Sequence, residues 1–225
     1  MIVVTVRTRN EQGNIARFIN SYWWADKILV ADGGSSDDTV RIASQMDKTS
    51  VRLFGETVSR NGVIRNPHGR HMNFLWDWAI EEGADFIIFD DCDCVPNKRL
   101  QEIGRSVFDN LPAHLDAVFS YRLYIYGKDQ FFPKISYVGQ SIWGWRASAP
   151  VRADESDPFK HHVNGVNHDK GYYLKTPFVL LHYAWPSDQA VNRKLNFYQS
   201  YKPEGASHPT DFGGKLMPLP DFAKE

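Results

Sequence analysis

Phe86-Ile87-Ile88-Phe89-Asp90-Asp91-Cys92-Asp93 passes from four large apolar residues to three acids within four positions. An apolar run without polar alternation suits a strand buried on both faces, as in parallel sheets covered by helices. Its abrupt end puts Asp90, Asp91 and Asp93 at a strand terminus, the edge where open α/β sheets bind ligands. Upstream, Met72, Leu75, Trp76, Ala79 and Ile80 recur at helical spacing, and Val51 to Phe54 reads as a strand. Further back the unit repeats. Lys27 to Ala31 is a strand, followed by a turn at Asp32-Gly-Gly-Ser-Ser-Asp-Asp and a short helix through Val40, Ile42, Ala43 and Met46. Ile2 to Val6 is a β-branched strand, and Ile15, Phe18, Ile19, Tyr22 and Trp23 mark an amphipathic helix. Strands alternating with helices predict an α/β fold with a mainly parallel central sheet.

Downstream, Leu100, Ile103, Val107 and Phe108 predict a helix within Asn97 to Asn110, and Ala117 to Tyr126 alternates as a half-buried strand does. Gly127 to Thr176 is loop-rich. Phe178 to Tyr183 reads as a last strand, a helix is expected from about Ser187 to Tyr201, and the proline-containing tail over 203–225 reads as irregular.

Composition narrows the class. The 225 residues are 42% hydrophobic and 24% charged with a formal charge of −1, which fits a folded globular protein and gives no basic footprint for a dedicated nucleic-acid binder. Arg7 and Arg9 interrupt the opening apolar run too early for a signal peptide, and no apolar run approaches bilayer length, so a cytoplasmic protein is expected. Cys92 and Cys94 are too close together to staple distant parts of a fold, which agrees with a reducing compartment.

Three polar loops share one sheet edge if the strands are parallel: Arg7 to Glu11, the loop opening at Asp32, and the acids after Phe89. No G-x-G-x-x-G follows the first strand, which argues against dinucleotide binding. Asp91 and Asp93, two residues apart, can point at one oxygen-coordinated cation such as Mn²⁺ or Mg²⁺. Such a cation would bridge a diphosphate and stabilise a departing nucleotide. The alternative is that these acids cap the next helix or lie in solvent. Clustered carboxylates repel one another unless a cation offsets them. An EF-hand is excluded, because Val95 and Pro96 occupy positions that need an oxygen ligand and glycine.

Val3-Val-Thr-Val-Arg-Thr-Arg-Asn-Glu11, Lys27-Ile-Leu-Val-Ala-Asp-Gly-Gly-Ser-Ser-Asp-Asp-Thr39 and Phe86-Ile-Ile-Phe-Asp-Asp-Cys-Asp93 together resemble family 2 glycosyltransferases of the GT-A fold, over about the first 100 residues. The resemblance implies a Rossmann-like, nucleotide-diphospho-sugar transferase domain with a C-terminal elaboration. Residues 1–110 would form its nucleotide-sugar half, 111–202 its acceptor-binding and catalytic half, and 203–225 its tail. It further implies that Thr8, Asn10 and Glu11 line the nucleoside pocket and Asp32 hydrogen-bonds the base. Arg70, in a segment like the family's Gly-Lys, would lie near the diphosphate, and Asp91 and Asp93 would be the metal-binding D-x-D. Arg60, Arg65, His68 and His71 make the loop around Arg70 basic and suited to phosphate.

In the second half the resemblance implies a general base before the last strand and a histidine metal ligand after it. Glu155 is the favoured base, with Asp154 and Asp157 as the other acids, and His182 is the expected third ligand. A carboxylate there would take the acceptor proton in an inverting transfer. The donor is expected to be a UDP-sugar and the acceptor a hydroxyl of a glycan, glycolipid intermediate, protein or modified DNA base. Tyr137, Trp143 and Trp145 are candidate acceptor-facing aromatics. His161, His162 and His168 fit no compact zinc spacing. The competing readings are a haloacid-dehalogenase-like phosphatase, through Asp91-Cys-Asp-Cys-Val, and a glycan- or nucleotide-binding module without catalysis.

Overall fold

The computed structural model describes residues 1–60, 62–132, 140–158, 162–185 and 216–224. The chain begins with β1 (Ile2–Thr8), α1 (Ile15–Ser21), β2 (Lys27–Asp32), α2 (Thr39–Ser44) and β3 (Thr49–Leu53). The hairpin of β4 (Val58–Arg60) and β5 (Val63–Arg65) leads into α3 (His68–Glu81) and β6 (Phe86–Asp91). After β7 (Cys94–Pro96) and α4 (Lys98–Asp109) come β8 (Ala117–Tyr126), β9 (Gln130–Phe131) and β10 (Gln140–Arg146). β11 (Arg152–Ala153), β12 (Val163–Asn164), β13 (Gly171–Tyr173), β14 (Val179–Trp185) and β15 (Met217–Pro218) complete the strands.

β3, β2, β1 and β6 lie side by side and parallel, so the expected βαβ half is present. β10 then enters antiparallel between β6 and β8, which restores β8 to the direction of β6. β13 and β14 run parallel to β8 at its two ends, and β7 pairs with β14. The loop-rich stretch from Gly127 to Thr176 thus contains several strands, mostly two or three residues long, too short to show a period of two.

Alternation divides the sheet's side chains between two apolar layers. Ile2, Val4, Val6, Ile28, Val30 and Ile88 face α1, α2 and α4, among Phe18, Tyr22, Ala43, Leu100 and Phe108. Val3, Leu29, Ala31, Ile87 and Phe89 face α3, among Met72, Leu75 and Trp76. Burial on both faces is why these strands read as unbroken apolar runs.

Two sequence expectations change. α3 starts at His68, one turn before the first apolar marker, because Pro67 in extended conformation ends the preceding strand and supplies the N-cap position. Trp143 and Trp145 are core residues, not acceptor-facing ones: they are 0% and 2% exposed, and Trp143 donates its indole N–H to Tyr22 Oη at 3.1 Å. Near the C-terminus, Leu219 and Ala223 are buried, and Asn97 donates to Phe222 O at 2.7 Å, so the end of the tail packs against its own domain. Tyr137, His161 and the helix expected over 187–201 lie outside the described residues.

Candidate functional site

The carboxyl ends of β1, β2 and β6 stop together, with Thr8 in register with Asp32 and Arg7 with Asp91. Above them opens a cleft of about 500 Å³. Arg7, Thr8, Arg9 and Glu11 line it from the β1 side, and Asp91, Cys92 and Asp93 from the β6 side. Arg65, Asn66, His68 and His71 supply the wall between β5 and α3, and His182 of β14 closes the far end.

Three of the expected ligands therefore share one cavity. Asp93 Oδ1 is 3.3 Å from His182 Nε2, and Tyr183 N–H donates to Asp93 O at 2.7 Å. Residues some ninety positions apart meet because β7 leaves the D-x-D loop and pairs with β14, putting Cys94 opposite His182. His182 Nδ1 is buried with no hydrogen-bond partner. Asp91 is held differently: Arg7 Nη2 and Nε both donate to its Oδ1, at 3.0 and 3.2 Å, while Arg7 Nη1 contacts His68 Nδ1. Among the described residues, no three His, Cys, Asp or Glu side chains are arranged to hold a metal ion. The donor types of Asp91, Asp93 and His182 suit a divalent cation, and Asp91 is held by Arg7 in this structure.

Two of the clustered acids have arginine partners within the protein, Asp91 with Arg7 and Asp90 with Arg122. Asp90 is fully buried and accepts from Arg122 Nη2 at 2.8 Å. Burial pushes the Asp90 carboxyl up to about 6, against the opposing pull of Arg122. Asp90 keeps Arg122 charged despite the burial that works against it.

The residues expected to line a nucleoside pocket mostly build the wall. Asp32, 2% exposed, accepts Gly34 and Ser35 N–H groups at 2.9 and 2.8 Å on Oδ2, and Thr8 Oγ1 at 3.1 Å and Ser35 Oγ on Oδ1. In this arrangement its lone pairs serve the turn. Asn10, at a φ of 58°, receives Ser36 N–H at 2.8 Å and fastens the first loop to the second. Glu11 lines the cleft, and its carbonyl accepts the Asn14 and Ile15 N–H groups at the start of α1. His71 stacks on Phe54 with ring centroids 4.3 Å apart, and its Nε2 lies 3.0 Å from Ala31 O. Burial, then the nearby Arg7 charge, lowers the His71 pKa to about 4, so its ring is neutral.

Arg70, expected near the diphosphate, turns to Glu56 at 2.7 Å and does not line the cleft; Arg65 and His68 of the same basic stretch do. The acids near residue 155 are brought close to that wall without entering it. Asn73 exchanges hydrogen bonds with Ala153 and donates to Glu155 Oε1 at 2.6 Å, and His68 N–H donates to Pro158 O at 2.9 Å. Only glycine fits at position 69, since a Cβ there would meet Asp154 O at 2.0 Å. Asp157 pairs with Arg60 at 2.9 Å, and Asp154 Oδ1 accepts Ser156 N–H at 2.8 Å. Arg7 and Arg122 carry no assigned role in the sequence reading. The signal for Arg122 is the lone charge in a strand that is otherwise apolar and aromatic apart from Ser120, and for Arg7 its register opposite Asp91.

No protein-family profile matches the chain, and no curated protein matches it in sequence. Solved structures do. Staphylococcus aureus TarS 1–349 superposes with a TM-score of 0.56 at 16% identity, over 88% of this chain and 62% of that one. TarS 1–349 in complex with UDP-GlcNAc gives 0.55 at 15% identity, over 88% and 64%. Mycobacterium tuberculosis glucosyl-3-phosphoglycerate synthase, in complex with Mn²⁺, UDP and glucosyl-3-phosphoglycerate, gives 0.53 at 15% identity, over 91% and 81%. The chain has the GT-A glycosyltransferase fold. It spans less than two thirds of the TarS fragment's length.

Proposed function

We propose that this chain is a glycosyltransferase that takes a sugar from a nucleotide-diphosphate donor, most suitably a UDP-sugar, and joins it to an acceptor hydroxyl with inversion. The observation that carries the reading is the meeting of Asp91, Asp93 and His182 in one cleft with Arg7, Arg9 and Arg65. Acids and an imidazole suit a divalent cation, and guanidinium groups suit phosphate oxygens. The structures of this fold solved with UDP, UDP-GlcNAc and Mn²⁺ support the choice of donor and cation.

On this reading Thr8, Asn10, Glu11 and Asp32 shape the nucleoside end: Thr8 and Glu11 face the cleft, while Asn10 and Asp32 hold the two loops that wall it. Arg65 and His68 contribute positive or donor groups toward the diphosphate, with Arg70 two residues further along α3 and paired with Glu56. Asp91, Asp93 and His182 would hold Mn²⁺ or Mg²⁺, which supplies charge neutralisation for the leaving diphosphate. Glu155 takes the proton of the acceptor hydroxyl as its oxygen bonds to the anomeric carbon; the bond from that carbon to the diphosphate breaks, and the nucleoside diphosphate leaves with its electron pair. Asp157, tied to Arg60, is the second candidate for that proton. On this reading residues 1–110 form the nucleotide-sugar half and 111–202 the acceptor-binding and catalytic half, which also contributes His182 to the cation. Among the described residues, no helix is long and apolar enough to cross a membrane.

Incubation with a panel of UDP-sugars and Mn²⁺ should show donor hydrolysis or transfer. Glu155→Gln should keep UDP affinity by calorimetry and slow turnover by about 10²–10⁴-fold, because an amide preserves shape and cannot accept the proton. Phosphomonoester cleavage in place of donor turnover, or no UDP binding with or without Mn²⁺, would overturn the reading. Normal transfer by Glu155→Gln together with failure of Asp157→Asn would move the base to Asp157.

A further inference from the structure

We infer that Arg7 is a resident counter-cation for Asp91, released to the donor diphosphate when a divalent cation takes its place. The inference rests on the donor reading above and adds to it how metal and donor are made to bind together. Arg7 and Asp91 are cross-strand partners in the register of β1 and β6, so their side chains lie on the same face at the cleft floor. Two guanidinium N–H groups converge on one Asp91 oxygen, and Phe89 lies beneath the guanidinium with its centroid 5.9 Å away. Asp93 and His182 face each other at 3.3 Å, yet no three-ligand metal group exists among the described residues. On the donor reading the third ligand would be Asp91, whose carboxylate Arg7 holds.

Charge explains why the three components should move together. The cleft's arginines, Arg7, Arg9 and Arg65, are matched by the carboxylates of Glu11, Asp91 and Asp93. A divalent cation alone adds positive charge to a balanced cavity and must displace Arg7. A nucleoside diphosphate alone adds negative charge and must draw Arg7 from Asp91. Arriving together, each removes the obstacle to the other: the cation takes Asp91, and the freed guanidinium meets phosphate oxygens, which its planar fork fits in two-point fashion. Reciprocal tightening of metal and nucleotide follows.

The test is direct binding without turnover, using Mn²⁺ followed by electron paramagnetic resonance and UDP followed by calorimetry. Wild type should bind Mn²⁺ weakly alone and at least about tenfold more tightly with UDP. Arg7→Met should tighten Mn²⁺ binding in the absence of UDP, weaken UDP binding in the absence of Mn²⁺ by about tenfold, and shrink the coupling between them. Asp91→Asn supplies an opposite and independent response: with the charge of its partner neutralised, Arg7 is more readily drawn to phosphate, so metal-free UDP binding should strengthen while Mn²⁺ binding falls. Unchanged or weaker Mn²⁺ binding in Arg7→Met, or weaker metal-free UDP binding in Asp91→Asn, overturns the inference while leaving the donor site in place. Absence of UDP binding in wild type under all conditions overturns both it and the donor reading.

Discussion

Asp90 and Asp91 are adjacent, and each is met by an arginine, but the alternation of β6 sends them to opposite faces of the sheet. Asp90 follows Ile88 toward the layer that holds Tyr22 and Trp143, where it is 0% exposed. Asp91 follows Phe89 toward the α3 side and the cleft, with 26% of its side chain exposed. Arg122 reaches Asp90 from β8, and both Asp90 Oδ2 and Arg122 Nε remain buried without hydrogen-bond partners. Arg7 reaches Asp91 from the neighbouring strand, where water and ligands can reach the pair. One residue of register separates an ion pair that belongs to the scaffold from one that can be exchanged. Removing a single partner should therefore have very different consequences on the two sides.

The largest effect is expected on the buried side. Arg122→Met leaves Asp90 without its partner in the interior, where loss of the opposing pull lets burial raise its carboxyl further and drive it toward protonation, and breaking a buried pair in this way costs about 3–5 kcal/mol. Chemical denaturation at neutral pH measures it. Adding Asp90→Asn to Arg122→Met should recover part of the loss, since the stranded carboxyl and the cost of protonating it are then gone. A loss below about 1 kcal/mol for Arg122→Met would mean that water reaches Asp90 and that the two pairs do not differ in kind.

Next in size is a pH effect on the cleft side, where His71 is a buried neutral group. Its folded pKa of about 4 lies below the ordinary histidine value of 6.5. Between those values the unfolded chain binds the proton and the folded chain does not, so stability is complete above pH 6.5 and falls as pH drops toward 4. The depression corresponds to about 3 kcal/mol. His71→Gln should have a flatter acid limb in a denaturation series from pH 8 to 4, although the loss of the Phe54 stack lowers its stability throughout. An acid limb as steep as that of wild type would assign the slope to other groups.

The contrast between the two pairs also marks how far the sequence could be read. The parallel half was legible because Ile2 to Val6, Lys27 to Ala31 and Phe86 to Phe89 are buried on both faces, and because the amphipathic spacing in α1, α3 and α4 survives in any packing. The expectation that Asp91, Asp93 and His182 act together came from the family resemblance, and the fold brings the three to one cleft. The partners of those acids could not be read. An arginine's target depends on strand register and sheet order, and β10 had to be placed between β6 and β8 before Arg122 could be seen to reach Asp90. Asp32 reads as a base-binding acid in its motif, while the fold spends its lone pairs on Gly34, Ser35 and Thr8. Glu155 and Asp157 sit on a segment anchored by its packing on Gly69 and Asn73 of α3, by Arg60 and by the His68–Pro158 backbone bond, contacts with no local pattern.

The smallest effect is expected from Arg7→Met on stability in the absence of metal and nucleotide. Arg7 and Asp91 keep 15% and 26% of their side-chain surface, so the carboxylate left behind can recover hydration that Asp90 cannot. Pairs of partial exposure contribute about 0.2–1 kcal/mol, and the cation–π contact with Phe89 adds about 0.5–1 kcal/mol. Methionine retains part of the apolar contact with that ring, which offsets some of the loss. The sum places Arg7→Met at about 1 kcal/mol, a third or less of the Arg122→Met effect, in the same denaturation measurement. That ratio is what an exchangeable pair requires: a guanidinium bound tightly enough to order the empty cleft, and weakly enough for a cation and a diphosphate to replace it within ordinary binding energies. A loss of about 3 kcal/mol or more for Arg7→Met would make Arg7–Asp91 a second scaffold pair, and Asp91 would then be unavailable to any ligand that enters the cleft.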